Sequence, residues 1–309
     1  MGKENAHVNK NEEKFLSFIK ERESIRIRRL LGAPWPWTKD KILQEYKFTN
    51  VHRIYDKTTQ SFLKLYKEHE DSHPSVKLFQ CAVNRWFGTV DFVNAVGWLG
   101  QADSMAIRRV LYIAKKLIGE DVKIFTGAYM ITNGNKSGPK EELVVRKVLT
   151  PLSKHLDKIV QEYDTNQTWE SMYRYMKDNL FGFGGSGFMV KEVLQDALLM
   201  TPFSKAKDRG TWTPVGPGAR RGLNRMHKRA YDDRLNEELA IEECINLWCQ
   251  VMDPWWEWAC MNNAKYELKK APVLELTAHD VQFQLCEWDK WMRVKLGQGR
   301  PRSRYRRES

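Results

Sequence analysis

The chain has 309 residues, 42% of them hydrophobic, enough to bury a sizeable core and too many for disorder throughout. Its 51 lysines and arginines against 39 acidic residues leave a formal net charge of +12, a balance that suits a polyanion such as nucleic acid. No apolar run approaches the roughly 18 residues of a membrane span, and MGKENAHVNKNEEK at the N-terminus has no apolar signal core, so neither membrane insertion nor secretion is expected and a cytoplasmic location is.

Residues 1–12 are polar and are expected to be disordered. Helical periodicity then dominates. Phe15, Phe18, Ile19, Leu30 and Leu31 mark an opening helix that stops before Gly32 and Pro34-Trp35-Pro36. Thr38 is placed to cap DKILQEY. MAIRRVLYIAKKLIG sets Ile107, Val110, Leu111, Ala114, Leu117 and Ile118 on one stripe and ends at Gly119. VKIFTGAYMI is the best strand candidate in a sequence otherwise poor in alternation. LVVRKVLT and PLSKHLDKIVQEY read as two helices, the second opening at Pro151 behind a Thr150 cap. TWESMYRYMKDNL, with Thr165 or Thr168 as cap, puts Trp169, Met172, Tyr173 and Met176 on one face. In DPWWEWAC, Trp255, Trp256 and Trp258 are expected to pack a helix junction. Thr277 and Asp280 form a capping-box pattern ahead of a helix bearing Val281, Leu285, Trp288 and Met292. The fold expected is all-α.

Five cysteines, an odd number without a CxxC pair, read as reduced core thiols. No histidine spacing suggests a metal, and no cofactor is expected. FGFGGSGFMVKEV spells G-x-G-x-x-G at Gly182, Gly184 and Gly187, but a helix precedes it where a dinucleotide fold requires a strand. What it offers is a tight turn, Gly182, Gly184, Gly185, Ser186 and Gly187, whose amides and following helix start could hold a phosphate. The tail GQGRPRSRYRRES, with Arg300, Arg302 and Arg304, reads as a flexible basic arm over residues 297–309 suited to DNA phosphates.

The glycine turn, the helix after it and the later TPVGPGARRGLNRM resemble, in their order, the helix-hairpin-helix DNA glycosylase superfamily. That resemblance implies a base-flipping scaffold over residues 13–296, as one domain or two helical lobes. The position for its catalytic aspartate reads Val215-Gly216-Pro217, and nearby Asp208 falls in a loop. A true glycosylase is therefore disfavoured.

A closer resemblance covers most of the chain. The blocks FLSFIKERESIRIRRLLGAPWPWTKDKILQEYKFTNVHRIYDKTT, NRWFG, IFTGAYMI, GFGGSGFMVKEVLQDAL, GPGARRGL and LTAHDVQFQLCEWDKWMRVKLGQGRPRSRY are similar to the alpha-glutamyl/putrescinyl thymine pyrophosphorylases, or amino acid:DNA transferases. The helical domain of phage 5-hydroxymethyluracil DNA kinases is a sister group. The resemblance implies a bacteriophage-type DNA modification: the pyrophosphate on a 5-hydroxymethyluracil of double-stranded DNA, installed by a separate kinase, is replaced by an amine. No G-x-x-x-x-G-K-[ST] occurs, so the chain is not expected to be that kinase.

Such a step needs cations at the leaving group and a base at the amine. Arg53, Asp56, Arg220, Arg221 and Glu287 are the candidate catalytic residues. Asn50, His52, Tyr55, Arg85 and Tyr129 are the candidate base pocket, with Trp35, Trp37, Phe48 and Trp86 as further stacking aromatics. Glu287 and Lys290 lie opposite the Val281-Leu285-Trp288 stripe, where a solvated face is the plain expectation. Asp196 reads as structural. A helical DNA-binding module that recruits the kinase is the non-enzymatic alternative.

Overall fold

The computed structural model describes residues 10–127, 131, 137–299, 301 and 304–305. They are helical, as expected. In chain order the helices are α1 (Lys10–Leu30), α2 (Lys41–Glu45), α3 (Lys57–Lys67), α4 (Pro74–Phe87), α5 (Val90–Val96), α6 (Ser104–Gly119), α7 (Lys140–Leu143), α8 (Thr150–Asn166), α9 (Trp169–Asn179), α10 (Phe188–Ala197), α11 (Pro217–Met226), α12 (Glu237–Lys265) and α13 (Ala278–Lys295). Among the described residues, β pairing is confined to isolated bridges of Tyr46 with Arg304 and of Gly88 with Phe125. VKIFTGAYMI is thus no strand in its described part. It is tied to the end of α4 at that bridge, with the Thr126 amide donating to Phe87 O at 2.7 Å.

The chain divides into two compact units, Met1–Arg53 with Gly210–Ser309, and Ile54–Arg209. In the first, α13 packs on α1, α2, α11 and α12, with Phe15, Ile19, Leu223, Leu247, Val251, Trp255, Val281 and Leu285 buried. In the second, α10 packs on α4 and α9, and α8 on α4 and α9. Its core holds Phe79, Val83, Leu152, Ile159, Tyr163, Trp169, Met172 and Val193. Every residue of α10 from Val190 to Ala197 is buried, including Lys191, Glu192, Gln195 and Asp196.

Local chemistry explains the boundaries, and several differ from expectation. Helix α1 already includes Lys10 to Glu12, since Asn11 Nδ2 is tied to Met226 O at 2.9 Å. Asp40, not Thr38, caps α2, accepting from the Ile42 and Leu43 amides at 2.8 and 3.1 Å; Thr38 instead accepts from the Asp40 amide. Thr150 caps nothing. The chain stays helical from α7 into α8 through a π-helical stretch, Val144–Leu149, and Thr150 Oγ1 donates back to Val145 O at 2.9 Å. A π-turn accommodates Pro151, which lacks an N–H, without breaking the helix. Pro254 likewise sits inside a continuous α12, so DPWWEWAC marks no junction; Trp255 is fully buried there and donates to Leu274 O at 2.8 Å. Cys81 and Cys244 are core thiols, whereas Cys249 and Cys260 on α12 are exposed. The capping box of Thr277 and Asp280 forms as expected.

Gly218 and Gly222, one turn apart on α11, let that helix approach α13 closely. A Cβ at Gly222 would collide with the Leu285 carbonyl, and one at Gly218 would lie 3.1 Å from Cys286 Sγ. Gly216, at the α11 N-cap with φ −78°, has open space around it. Gly222→Ala is therefore expected to cost about 1–3 kcal/mol through overpacking against backbone, and Gly216→Ala no more than about 0.5 kcal/mol. Urea midpoints of the two variants check this, and equal midpoints would contradict the close approach.

Candidate functional site

In the first unit a buried polar seam runs along α13. Residues 280, 284 and 287 are spaced by four and three and so share one face. They meet α1 and the extended segment 47–52. Arg22 of α1 donates to Gln284 Oε1 and to the Thr49 carbonyl, and its Nη2 lies 3.9 Å from Glu287 Oε2. Gln284 in turn donates to Val51 O at 3.2 Å. Glu287 accepts from the Thr49 amide at 3.3 Å and from Lys290 at 3.0 Å. Lys290 also donates to Lys47 O at 2.8 Å and sits 4.4 Å over the Phe48 ring. Glu287 is thus 8% exposed, and the solvated face expected for it is corrected: the 47–52 segment covers it.

At the far end of the seam His52 Nδ1 lies 3.7 Å from Asp280 Oδ2. Both side chains are buried, and the imidazole meets Trp255 edge-on. Burial pushes the Asp280 carboxyl up. The hydrogen bond from His52, the charges of His279 and His52, and the Thr277 hydroxyl more than offset that and hold it at about 2. Arg53 follows directly, 9% exposed, its guanidinium 5.6 Å from the Phe283 ring centroid. Asn50 is half-buried on the same segment.

The α11 arginines have different partners from those expected of leaving-group cations. Arg220 donates to Val215 O at 2.9 Å and Leu235 O at 2.8 Å, which ties the loops on either side of α11. Arg221 donates to Asp289 at 2.9 Å, and Arg225 to the same carboxylate at 2.8 Å. A cavity of about 490 Å³ opens nearby, floored by Phe18, Leu43, Trp288 and Trp291 and bordered by Asp40 and Arg225. Arg304 of the tail pairs with Glu45 at 3.2 Å, and the Tyr305 amide donates to Glu45 O at 3.0 Å. Arg300 and Arg302 lie outside the described residues.

In the second unit Arg85 of α4 makes a two-pronged pair with Asp196 of α10, at 2.5 and 2.7 Å, and donates to Thr59 Oγ1 at 2.6 Å. Its charge is answered inside the fold, and Asp196 has the structural place expected for it. Tyr55 and Asp56 lead into α3, both half-buried. The glycine turn links α9 to α10, with Gly184, Gly185 and Ser186 exposed. Its glycines are required sterically. Gly182, Gly185 and Gly187 have φ of 86°, 63° and 65°. A Cβ at Gly187 would overlap the Tyr173 phenol, and one at Gly182 would press on Trp86 at 3.0 Å. Trp86, expected to stack on a base, is instead buried beneath the turn, edge-on to Phe183. Asp208 caps α9 from 39 residues away: its carboxylate accepts from the Trp169 and Glu170 amides at 2.8 and 3.0 Å, while Thr168 makes no side-chain cap bond. Burial pushes the Asp208 carboxyl up despite those bonds.

The residues expected as a base pocket come from both units. Asn50 and His52 belong to the first unit, Tyr55 and Arg85 to the second, and Tyr129 lies outside the described residues. Among the described residues no group of three or more His, Cys, Asp or Glu side chains could hold a metal ion, and no helix is long and apolar enough to cross a membrane. Sequence reasoning missed Arg22, Gln284, Asp289, Arg225 and Arg293. The 280-284-287 spacing was a usable signal for the seam; nothing in the sequence marked Arg22 as its partner.

The family described as "5-hmdU DNA kinase, helical domain" matches residues 10–300, and the chain belongs to it. A 5-hmdU DNA kinase of Bacillus phage SP10 is 27% identical over 228 residues, which cover 68% of this chain and 35% of the kinase. The chain thus matches about a third of that relative's length. No solved structure matches it.

Two variants probe these buried charges. Asp280 is depressed in the folded state, so its contribution is fully present above its ordinary 3.8 and is lost as pH falls through about 2. The stability gap between wild type and Asp280→Asn is expected to narrow by about 2 kcal/mol over that window, read from urea midpoints at successive pH values. Asp196→Asn, which strands a buried guanidinium, is expected to cost about 3–5 kcal/mol at neutral pH. A loss under about 1 kcal/mol would mean that the Arg85 pair does not support the core.

Proposed function

We propose that this chain acts in thymine hypermodification of DNA, replacing the pyrophosphate of a 5-pyrophosphoryloxymethyluracil with an amine, either an amino acid or a polyamine. The family relation over residues 10–300 carries the reading, since it ties the chain to a protein named for a 5-hydroxymethyluracil DNA kinase. The blocks shared with amino acid:DNA transferases support the finer step. In this reading a separate kinase supplies the activated base, and the reaction takes place in the cytoplasm of a phage-infected cell.

The chemistry assigns roles. Pyrophosphate leaves once its charge is neutralised, and the exposed ring methylene is then captured by a neutral amine. Arg53 serves as the cation and Glu287 as the group that takes the amine's proton, with Asp56 the alternative base. Arg220, committed to two carbonyls, shapes the loops around α11. The α9–turn–α10 hairpin serves as the glycosylase-like element, with the amides of Gly184, Gly185 and Ser186 in its exposed turn gripping a backbone phosphate. The base is flipped out for reaction. A non-catalytic role is the second reading. It is favoured by the match to only 35% of a kinase, which suits an accessory DNA-binding region.

The test incubates the full chain with duplex DNA carrying pyrophosphorylated 5-hydroxymethyluracil and a mixture of amines, followed by nucleoside mass analysis. An aminated thymidine derivative is expected, and Glu287→Gln should lower its rate at least about tenfold with DNA affinity unchanged. DNA binding without any new nucleoside would leave the accessory role. Alkali-labile abasic sites would restore the glycosylase reading.

A further inference from the structure

Asp289 of α13 is 1% exposed and is surrounded by three guanidiniums. Arg221 and Arg225 approach from α11, and Arg293 approaches from one turn further along α13 at 3.4 Å. Arg221 and Arg225 donate to the carboxylate through Nε at 2.9 and 2.8 Å, whereas the buried Arg293 Nε lies close to it without a hydrogen bond. One negative charge thus holds three positive ones. The side chains of Arg221 and Arg293 remain 35% and 39% exposed, and among the described residues their Nη nitrogens have no hydrogen-bond partner. Arg225 is buried further, and its Nη2 donates to Gln298 at 2.7 Å.

Helix-end electrostatics do not account for this arrangement. Arg225 and Arg293 lie in the last turns of α11 and α13, where a cation complements the dipole. Arg221 lies mid-helix and gains nothing there. Nor does the neighbouring cavity supply counter-charge to the exposed pair. Glu13, Glu21 and Asp40 line it with Arg225, Lys14 and Lys295, whereas Arg221 and Arg293 do not.

We propose that Arg221 and Arg293, oriented by Asp289 and backed by Arg225, form a phosphate-binding site. Its ligand is a phosphate oxyanion, carried by a DNA backbone or by free pyrophosphate. Guanidinium Nη groups suit tetrahedral oxyanions, and the bond from Arg221 Nε to a buried carboxylate removes rotamer entropy that binding would otherwise cost, while the same carboxylate holds Arg293 close by charge. Asp289 acts as a positioning residue and does not touch the ligand. The site does not rest on the amine-transfer reading: a chain that binds phosphate here and transfers no amine would keep this inference and lose the other.

The experiment compares Arg221→Gln/Arg293→Gln with the charge-matched Arg108→Gln/Arg109→Gln, two exposed arginines on α6. Duplex DNA affinity is measured by fluorescence anisotropy across a sodium chloride series, and inorganic pyrophosphate binding by calorimetry, on full chains whose urea midpoints are first matched to wild type. If the ligand is backbone phosphate, the site variant should lose about tenfold in affinity and flatten the log K against log salt slope by nearly two, well beyond the control. If it is free pyrophosphate, DNA affinity should equal the control while pyrophosphate binding disappears. Arg221→Lys/Arg293→Lys, which keeps the charge without the fork, should restore part of the loss and serves in place of the glutamine variant should that variant misfold. DNA and pyrophosphate binding both equal to the control would overturn the proposal.

Discussion

A buried carboxylate must be answered by cations or hydrogen-bond donors, because an uncompensated one costs several kcal/mol. Helix α13 carries three, Asp280, Glu287 and Asp289. Most of the first unit's polar architecture follows from meeting that demand. Asp280 is answered by His52 and by its own capping box, Glu287 by Arg22, Lys290 and the Thr49 amide, and Asp289 by the arginines of α11. The same pairs fix where segment 47–52 runs and how α11 turns about its axis. Gly218 and Gly222 then allow α11 to come close enough for its arginines to reach.

Glycine has two separate tasks in this chain. On α11 it removes side chains so that two helices can touch. Between α9 and α10 it supplies left-handed backbone and makes room for Tyr173 and Trp86. A phosphate-gripping turn and a sterically forced turn share one sequence pattern, G-x-G-x-x-G, so the pattern alone does not distinguish them. Gly184, Gly185 and Ser186 are exposed, whereas Gly182 and Gly187 are held against the side chains beneath.

Elements whose signals are local were legible in the sequence. The extent of α6 up to Gly119, the stop of α1 before Gly32 and the capping box of α13 each rest on residues a few positions apart, although of the expected α6 stripe only Val110, Ala114 and Leu117 are buried and Ile118 is exposed. Failures came where the deciding partner is distant. Thr168 has the right chemistry for a cap, but Asp208 takes that role, brought there by the fold. The pattern of α13 alone points Glu287 to solvent, because the segment that covers it lies more than two hundred residues earlier. Pro151 lies in the first turn of α8 as its chemistry suggests, but the unbroken run into it from the π-helical stretch has no sequence signature. Of the proposed site residues, the chemistry of Arg221 was legible and its partner Asp289 was not, since four charged residues on two helices pair only after the helices dock.

The division of the chain at Arg53 and Gly210 has a consequence for how the molecule is made. The second unit is a continuous stretch and can close its core as soon as it has left the ribosome. The first unit cannot. Phe15 and Ile19 on α1 emerge before the second unit, and α12 and α13, against which that helix packs, only after it. During synthesis the apolar stripe of α1 is therefore without its partners while the whole of the other unit folds, and its shielding in that interval falls to chaperones or to transient contacts. The loop closed by α1 and α13 contains the whole second unit, so the first unit is the slower of the two to form.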